Sequence, residues 1–223
     1  MEFSELIKAR KSVRGYQQKP VPREVIEEIL SVAKWSPSSM NTQPWHVHVV
    51  TGEPLDRIRR GNTENMVKGV PPKRDFPMKE AYEGIHRKRQ VDLAIQLFDA
   101  MGIARDDKER RTEWVMRGFR QFDAPVSLVL TYDKYLEPAA ISQFDLGALS
   151  HAIVLAAWER GLGTVINGQG IMQSAVVREH AGIPDDQNIM ICIALGYPDE
   201  DFVANSVKSV REDAENFVRY VGF

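Results

Sequence analysis

The stretch from Ser142 to Arg160 constrains the fold more than any other part of the chain. From Leu146 to Trp158 (LGALSHAIVLAAW) apolar side chains run nearly all round a helix. A helix of that kind must be covered on most sides, so it is predicted to be central and buried, ended by Gly161 and Gly163. The longest unbroken apolar runs, Ala152–Trp158 and Ile189–Leu195, are each seven residues, too short to span a bilayer. The rest of the chain has to supply the cover. It is long enough to do so: 223 residues, 43% hydrophobic and 27% charged, is an ordinary globular composition. At 25.3 kDa roughly 70% of the surface can be buried, so no staple is required. The single cysteine, Cys192, offers no internal disulfide and reads as a small core residue. A net charge of -2 gives no global pull towards nucleic acid, whose one candidate, basic residues 68–89, is weak. Met1–Glu5 shows no basic region followed by an apolar core, so a cytoplasmic protein without a membrane association is expected.

The remaining pattern alternates between helix and strand. Residues 22–35 form a helix with Val25, Ile26, Ile29, Leu30 and Ala33 on one face. Trp45–Thr51 alternates like a strand, and Pro54–Arg60 reads as a short helix. Residues 61–88, with Pro71, Pro72 and Pro77, read as an irregular excursion, and 89–122 as two helices broken near Gly102. Pro125–Tyr132, Thr164–Asn167 and Asn188–Leu195 read as strands, and Gln173–Ala181 as a short helix. The tail 202–223 has apolar residues without a helical stripe and reads as an arm that docks elsewhere. Strands that come late and unevenly favour an α+β class.

Several chemistries are excluded. Gly161-Leu-Gly163 lacks the third glycine of a dinucleotide fingerprint and follows a helix instead of opening one. No phosphate-binding P-loop, G-x-S-x-G elbow or H-E-x-x-H is present. His46 and His48, two apart on a strand, either share a metal or line a half-exposed face, and no third ligand is recognisable nearby. His151 reads as a core histidine. Arg87-Lys88-Arg89 and Arg110-Arg111 are solvated faces or contacts to a phosphate-bearing ligand.

Three constellations remain. Arg10, Ser12 and Arg14 alternate onto one side of extended backbone, two guanidinium forks and a hydroxyl suited to an anion, or simply basic residues near a terminus that face solvent. Ser36–Trp45 packs three serines, Asn41, Thr42 and Gln43 between two prolines, offering donors and acceptors to a heteroaromatic edge or simply linking helix to strand. Gly161–Gly170 lets backbone approach a planar ligand, or is a helix cap followed by a hairpin-like turn at Asn167-Gly168.

Together, in this order, the motifs resemble those of the FMN-dependent nitroreductase family. They are Arg10-Lys-Ser-Val-Arg-Gly-Tyr16, Ser36-Pro-Ser-Ser-Met-Asn-Thr-Gln-Pro-Trp45, Gly161-Leu-Gly-Thr164, Val177–Asp186 and Ala194-Leu-Gly-Tyr-Pro198. The likeness covers residues 1–60 and 123–223. Two departures stand out: Ser36 replaces the usual alanine, and the tail's Lys208–Arg211 segment lacks the proline that usually follows. The resemblance implies one α+β domain over 1–223, with a mostly antiparallel sheet flanked by helices. It implies an intertwined homodimer with FMN at each interface. Residues 61–122 would cover the substrate opening, and 202–223 would wrap the partner. Arg10, Lys11, Ser12, Arg14, Lys208 and Arg211 would hold the phosphate end. Pro37, Ser38, Ser39, Asn41 and Gln43 from the other subunit, with Asn167, Gly168 and Gln169, would meet the ring. Phe76, Tyr82, Trp114, Phe119 and Phe122 either stack on an aromatic substrate or pack under the excursion. The implied reaction is a ping-pong, two-electron reduction of nitroaromatics or quinones by NAD(P)H, NADPH being favoured by the basic excursion. No catalytic side chain and no metal is called for. Dehalogenation, flavin fragmentation and non-enzymatic flavin binding are the alternatives.

Overall fold

The structure, a computed structural model, describes residues 2–76 and 81–223. Its sheet consists of β1 (Trp45–Thr51), β2 (Val126–Asp133), β3 (Gly163–Asn167) and β4 (Gln187–Gly196). The order is β1-β2-β4-β3, and every neighbouring pair is antiparallel. β2 is buried from Val126 to Tyr132, as a central strand covered on both faces must be.

Alternation of side chains across β2 and β4 divides the interior in two. On one face Leu128, Leu130, Ile193 and Leu195 meet α2 (Arg23–Ala33) and α6 (Ala140–Glu159). On the other, Val129 and Cys192 meet Leu55 and Ile58 of α3 (Gly52–Val67) and Val177 of α7 (Ser174–Ala181). α2 buries Ile26, Ile29 and Ala33, the stripe expected of it, with Pro22 just ahead of its first turn. The α+β class and the antiparallel sheet are as the sequence implied.

α6 is covered all round only from Ile153 to Ala157; its first half is open on one side. Leu146, Leu149, Ile153 and Ala157 are buried, but Phe144 is 72% exposed and His151 points to solvent, so His151 is not a core histidine. By length and composition α6 is apolar enough to cross a membrane, yet 56% of it is buried within this fold. Gly161, at φ +73°, ends α6, whereas Gly163 opens β3. A Cβ at Gly163 would lie 2.6 Å from a Val13 methyl.

The excursion is more ordered than expected. α3 continues to Val67, and α4 (Gly84–Ala100) begins well before residue 89. The close approach of α3 to α7, where Gly61 faces Val176, is tertiary packing that local propensity does not reveal. α5 (Lys108–Phe119) is capped by Asp107, which accepts from Arg110 N at 3.0 Å. Between α3 and α4 the chain is tied down. Lys73 N donates to Met172 O (2.9 Å), and the Asp75 carboxylate accepts from Ile189 N (2.8 Å) and the Arg178 guanidinium (2.5 Å). Pro77 lies outside the described residues.

Candidate functional site

Residues 10–16 leave α1 (Phe3–Ala9) and run beside the outer edge of β3. Val13 N donates to Thr164 O at 2.9 Å, and the Val13 side chain is wholly buried against Gly163. Alternation then turns Ser12 and Arg14 the other way, into a cavity of about 440 Å³. Arg10, Lys11, Ser12 and Arg14 line one part of it, and Lys208, Ser209 and Arg211 of the tail line another. Among the described residues none of these five cations has a carboxylate within 4.0 Å. Burial lowers the pKa of Arg14, opposed by the nearby Tyr16. Burial first, and then Arg211, lowers that of Arg10. Uncompensated, partly desolvated cations around a hydroxyl make a site for a phosphate dianion.

The backbone of this segment is fixed by groups the sequence did not single out. Asn205, 2% exposed, accepts from Arg14 N (2.7 Å) and Gly15 N (3.2 Å). Its amide donates to Gly15 O (2.8 Å) and Asp199 O (2.9 Å). Arg117 of α5 donates to Arg14 O (3.0 Å) and lies 4.8 Å from the centre of the Phe202 ring. Gly15 sits under that ring, which a Cβ would overlap. No local pattern marks Asn205 or Arg117; both act through tertiary contacts.

The polar loop lies elsewhere. Ser39 N donates to the Asp145 carboxylate of α6 (3.1 Å), and Ser38 Oγ accepts from Gln43 N (2.9 Å). Met40, Asn41 and Gln43 have φ of +48°, +58° and +47°, three left-handed positions without glycine, with Thr42 at φ -69° between them. Pro37, Asn41 and Gln43 are exposed, and no residue of the loop lines the cationic cavity.

After β3 the chain does not make a hairpin. Gly168 has φ -80° and leads into a 3₁₀ turn at Gln169–Ile171. The buried Asn167 side chain organises that turn: it accepts from Gln169 N (2.9 Å) and Gly170 N (3.2 Å) and donates to Gly118 O (2.8 Å). Gly168 O accepts from Arg74 (3.2 Å), and the Gln169 side chain rests on Gly118 of α5.

Two aromatic candidates are corrected. Phe119 and Phe122 are 2% and 7% exposed and belong to the interior, because the left-handed run Gln121–Asp123 folds Phe122 inward onto Val13 and Val165. Phe76 packs beside the α3–α7 core, while Tyr82 is exposed and Trp114 borders a cleft of about 260 Å³ with Arg117 and Phe202. His46 and His48 take different cross-strand partners, Asp133 (2.8 Å) and Gln187 (2.9 Å). Of the basic residues singled out in the excursion, Arg87 pairs with Gln90, Lys88 with Asp92, Arg110 with Met101 O and Gly102 O, and Arg111 with Ala104 O, all nearby in sequence, while Arg89 reaches Glu212 of the tail.

The chain resembles known proteins along nearly all of its length. Residues 7–197 match the nitroreductase family. The chain is 37% identical to a chloronitrobenzene nitroreductase of Comamonas testosteroni and 38% identical to a nitrobenzene nitroreductase of Ectopseudomonas oleovorans. Each match covers 98% of this chain and 96% of the relative. The crystal structure of the FMN and NADPH-dependent nitroreductase NfnB from Sphigopyxis sp. strain HMH superposes with a TM-score of 0.94 at 28% identity, covering 100% of both chains.

Proposed function

The chain belongs to the nitroreductase family, and we propose that it is an FMN-dependent oxidoreductase that reduces nitroaromatic compounds of the nitrobenzene type with NAD(P)H. The observation that carries the reading is the cavity where Arg10, Arg14, Lys208 and Arg211 surround Ser12 with no carboxylate within 4.0 Å of them among the described residues. The donor set suits the phosphate end of FMN: guanidinium forks and an ammonium for the oxygens, a hydroxyl for a further hydrogen bond. A bound dianion would also reverse the lowering of the Arg10 and Arg14 pKa values.

FMN, when bound, supplies the two-electron chemistry between nicotinamide donor and nitro acceptor. The protein's part is binding and orientation. Arg10, Lys11, Arg14, Lys208 and Arg211 neutralise the phosphate, and β3 holds Ser12 towards it through Thr164. Gly168 and Gln169 meet the ring, fixed by Asn167 and Arg74. Residues 61–122 cover the substrate opening, with Tyr82 and Trp114 placed to stack on an aromatic acceptor. Burial of Phe119 and Phe122 leaves them to support that cover.

The ring site is completed by a second copy of the chain. Within one chain Pro37, Ser38, Ser39, Asn41 and Gln43 stay apart from the cationic cavity. The chain exposes 13324 Å², roughly 3,000 Å² more than a compact monomer of this mass. Phe144 on α6 and Phe217, Tyr220 and Phe223 on the tail contribute to that excess. Helix and arm are apolar surfaces suited to a large subunit interface; residues 202–212 dock on their own chain through Phe202, Asn205 and Glu212, so the part of the arm 202–223 that wraps the partner is 213–223.

Flavin absorption of the purified protein tests this reading. Anaerobic NADPH is expected to bleach it and nitrobenzene to restore it. A protein that cannot be loaded with FMN overturns it.

A further inference from the structure

We propose that Asn205 is a positioning residue for the flavin phosphate: it sets the register of the tail so that Lys208 and Arg211 face Arg10, Ser12 and Arg14. The inference rests on the FMN reading above. Beyond Gly196 the chain forms neither α-helix nor strand, so Lys208 and Arg211 have no scaffold of their own. Their placement depends on what fixes the chain just before them. Asn205 lies three residues ahead of Lys208, and all four of its hydrogen bonds go to backbone. Three of those partners belong to Arg14 and Gly15, the segment that forms the opposite wall. The amide thus reads the peptide of the phosphate loop as a neighbouring strand would. Among the described residues, no other side chain beyond Asp199 hydrogen-bonds to residues 10–16. Phe202 over Gly15 fixes the approach sterically, and Arg117 braces both. Removing the amide leaves two N–H groups unpaired and releases the tail cations.

The test compares FMN with riboflavin, which lacks the phosphate, on the full-length protein after flavin removal. Wild type is expected to prefer FMN strongly. Asn205→Ala should lose at least about tenfold in FMN affinity while riboflavin affinity changes less than about threefold. Ser206→Ala, whose hydroxyl meets only Val203 O, should behave as wild type. In a Lys208→Ala/Arg211→Ala background, Asn205→Ala should cost little more, because it acts through those cations. Equal losses for both flavins, an additive loss in that background, or unchanged discrimination overturns the proposal. Asn205→Ser, which shortens the side chain, is read by the same criteria if Asn205→Ala does not fold. A wild-type protein that binds both flavins equally overturns the phosphate reading itself, and that result is distinct because wild type is measured first.

Discussion

Among the described residues no carboxylate lies within 4.0 Å of Arg10 or Arg14, and that is the residue-scale basis of the account. Replacing either by alanine is predicted to weaken FMN binding by about 1.5–3 kcal/mol, the range for a hydrogen bond to a charged group. Titration of the stripped protein checks this, and full flavin retention in both variants would contradict it. Cys192 provides a different test. Burial pushes its thiol from 9.0 up to about 12, so the folded state favours the neutral form. Its contribution to stability is complete below about pH 9 and is lost as pH rises towards 12. Denaturant titrations from pH 8 to 11 should show that loss, and Cys192→Ala should make it smaller, the remainder coming from Tyr16, whose hydroxyl burial also pushes up. Arg10, Ser12 and Arg14 were legible because they alternate along an extended, half-buried segment. Asn205 was not, because a single asparagine in an irregular tail carries no local signal of the four backbone groups that it serves.

At the scale of elements, the strands and α2 were legible from periodicity, since each buries one consistent set of positions. The excursion was misread where prolines and cations suggested loop. Helix α3 runs longer than propensity indicates because it packs on α7, and α4 packs against the tail at Val203–Ser206. Asp75 and Arg178 are mostly buried, with side-chain exposures of 14% and 17%. Asp75→Ala leaves Arg178 and Ile189 N short of a partner and is predicted to cost about 3 kcal/mol, read by urea unfolding. A loss below about 0.5 kcal/mol, typical of exposed pairs, would remove the Asp75 anchor from the account. Phe119 and Phe122 illustrate the limit of reading aromatics from sequence. The turn that sends Phe122 inward depends on left-handed backbone at Gln121, Phe122 and Asp123, none of them glycine.

At the scale of the molecule, the sequence pointed to α6 as a helix needing cover all round, and one chain supplies only part of that cover. Sedimentation is predicted to give a flavin-loaded dimer at micromolar concentration, and truncation after residue 201 to lose both the dimer and FMN. A stable monomer retaining its flavin would contradict the shared site. The central claim is the redox cycle, and a visible spectrum under anaerobic conditions tests it most directly. The account predicts a flavin spectrum that NADPH or NADH bleaches and a stoichiometric amount of nitrobenzene restores. A spectrum that bleaches but is not restored by nitroaromatics, or a protein that takes up no flavin, would contradict it.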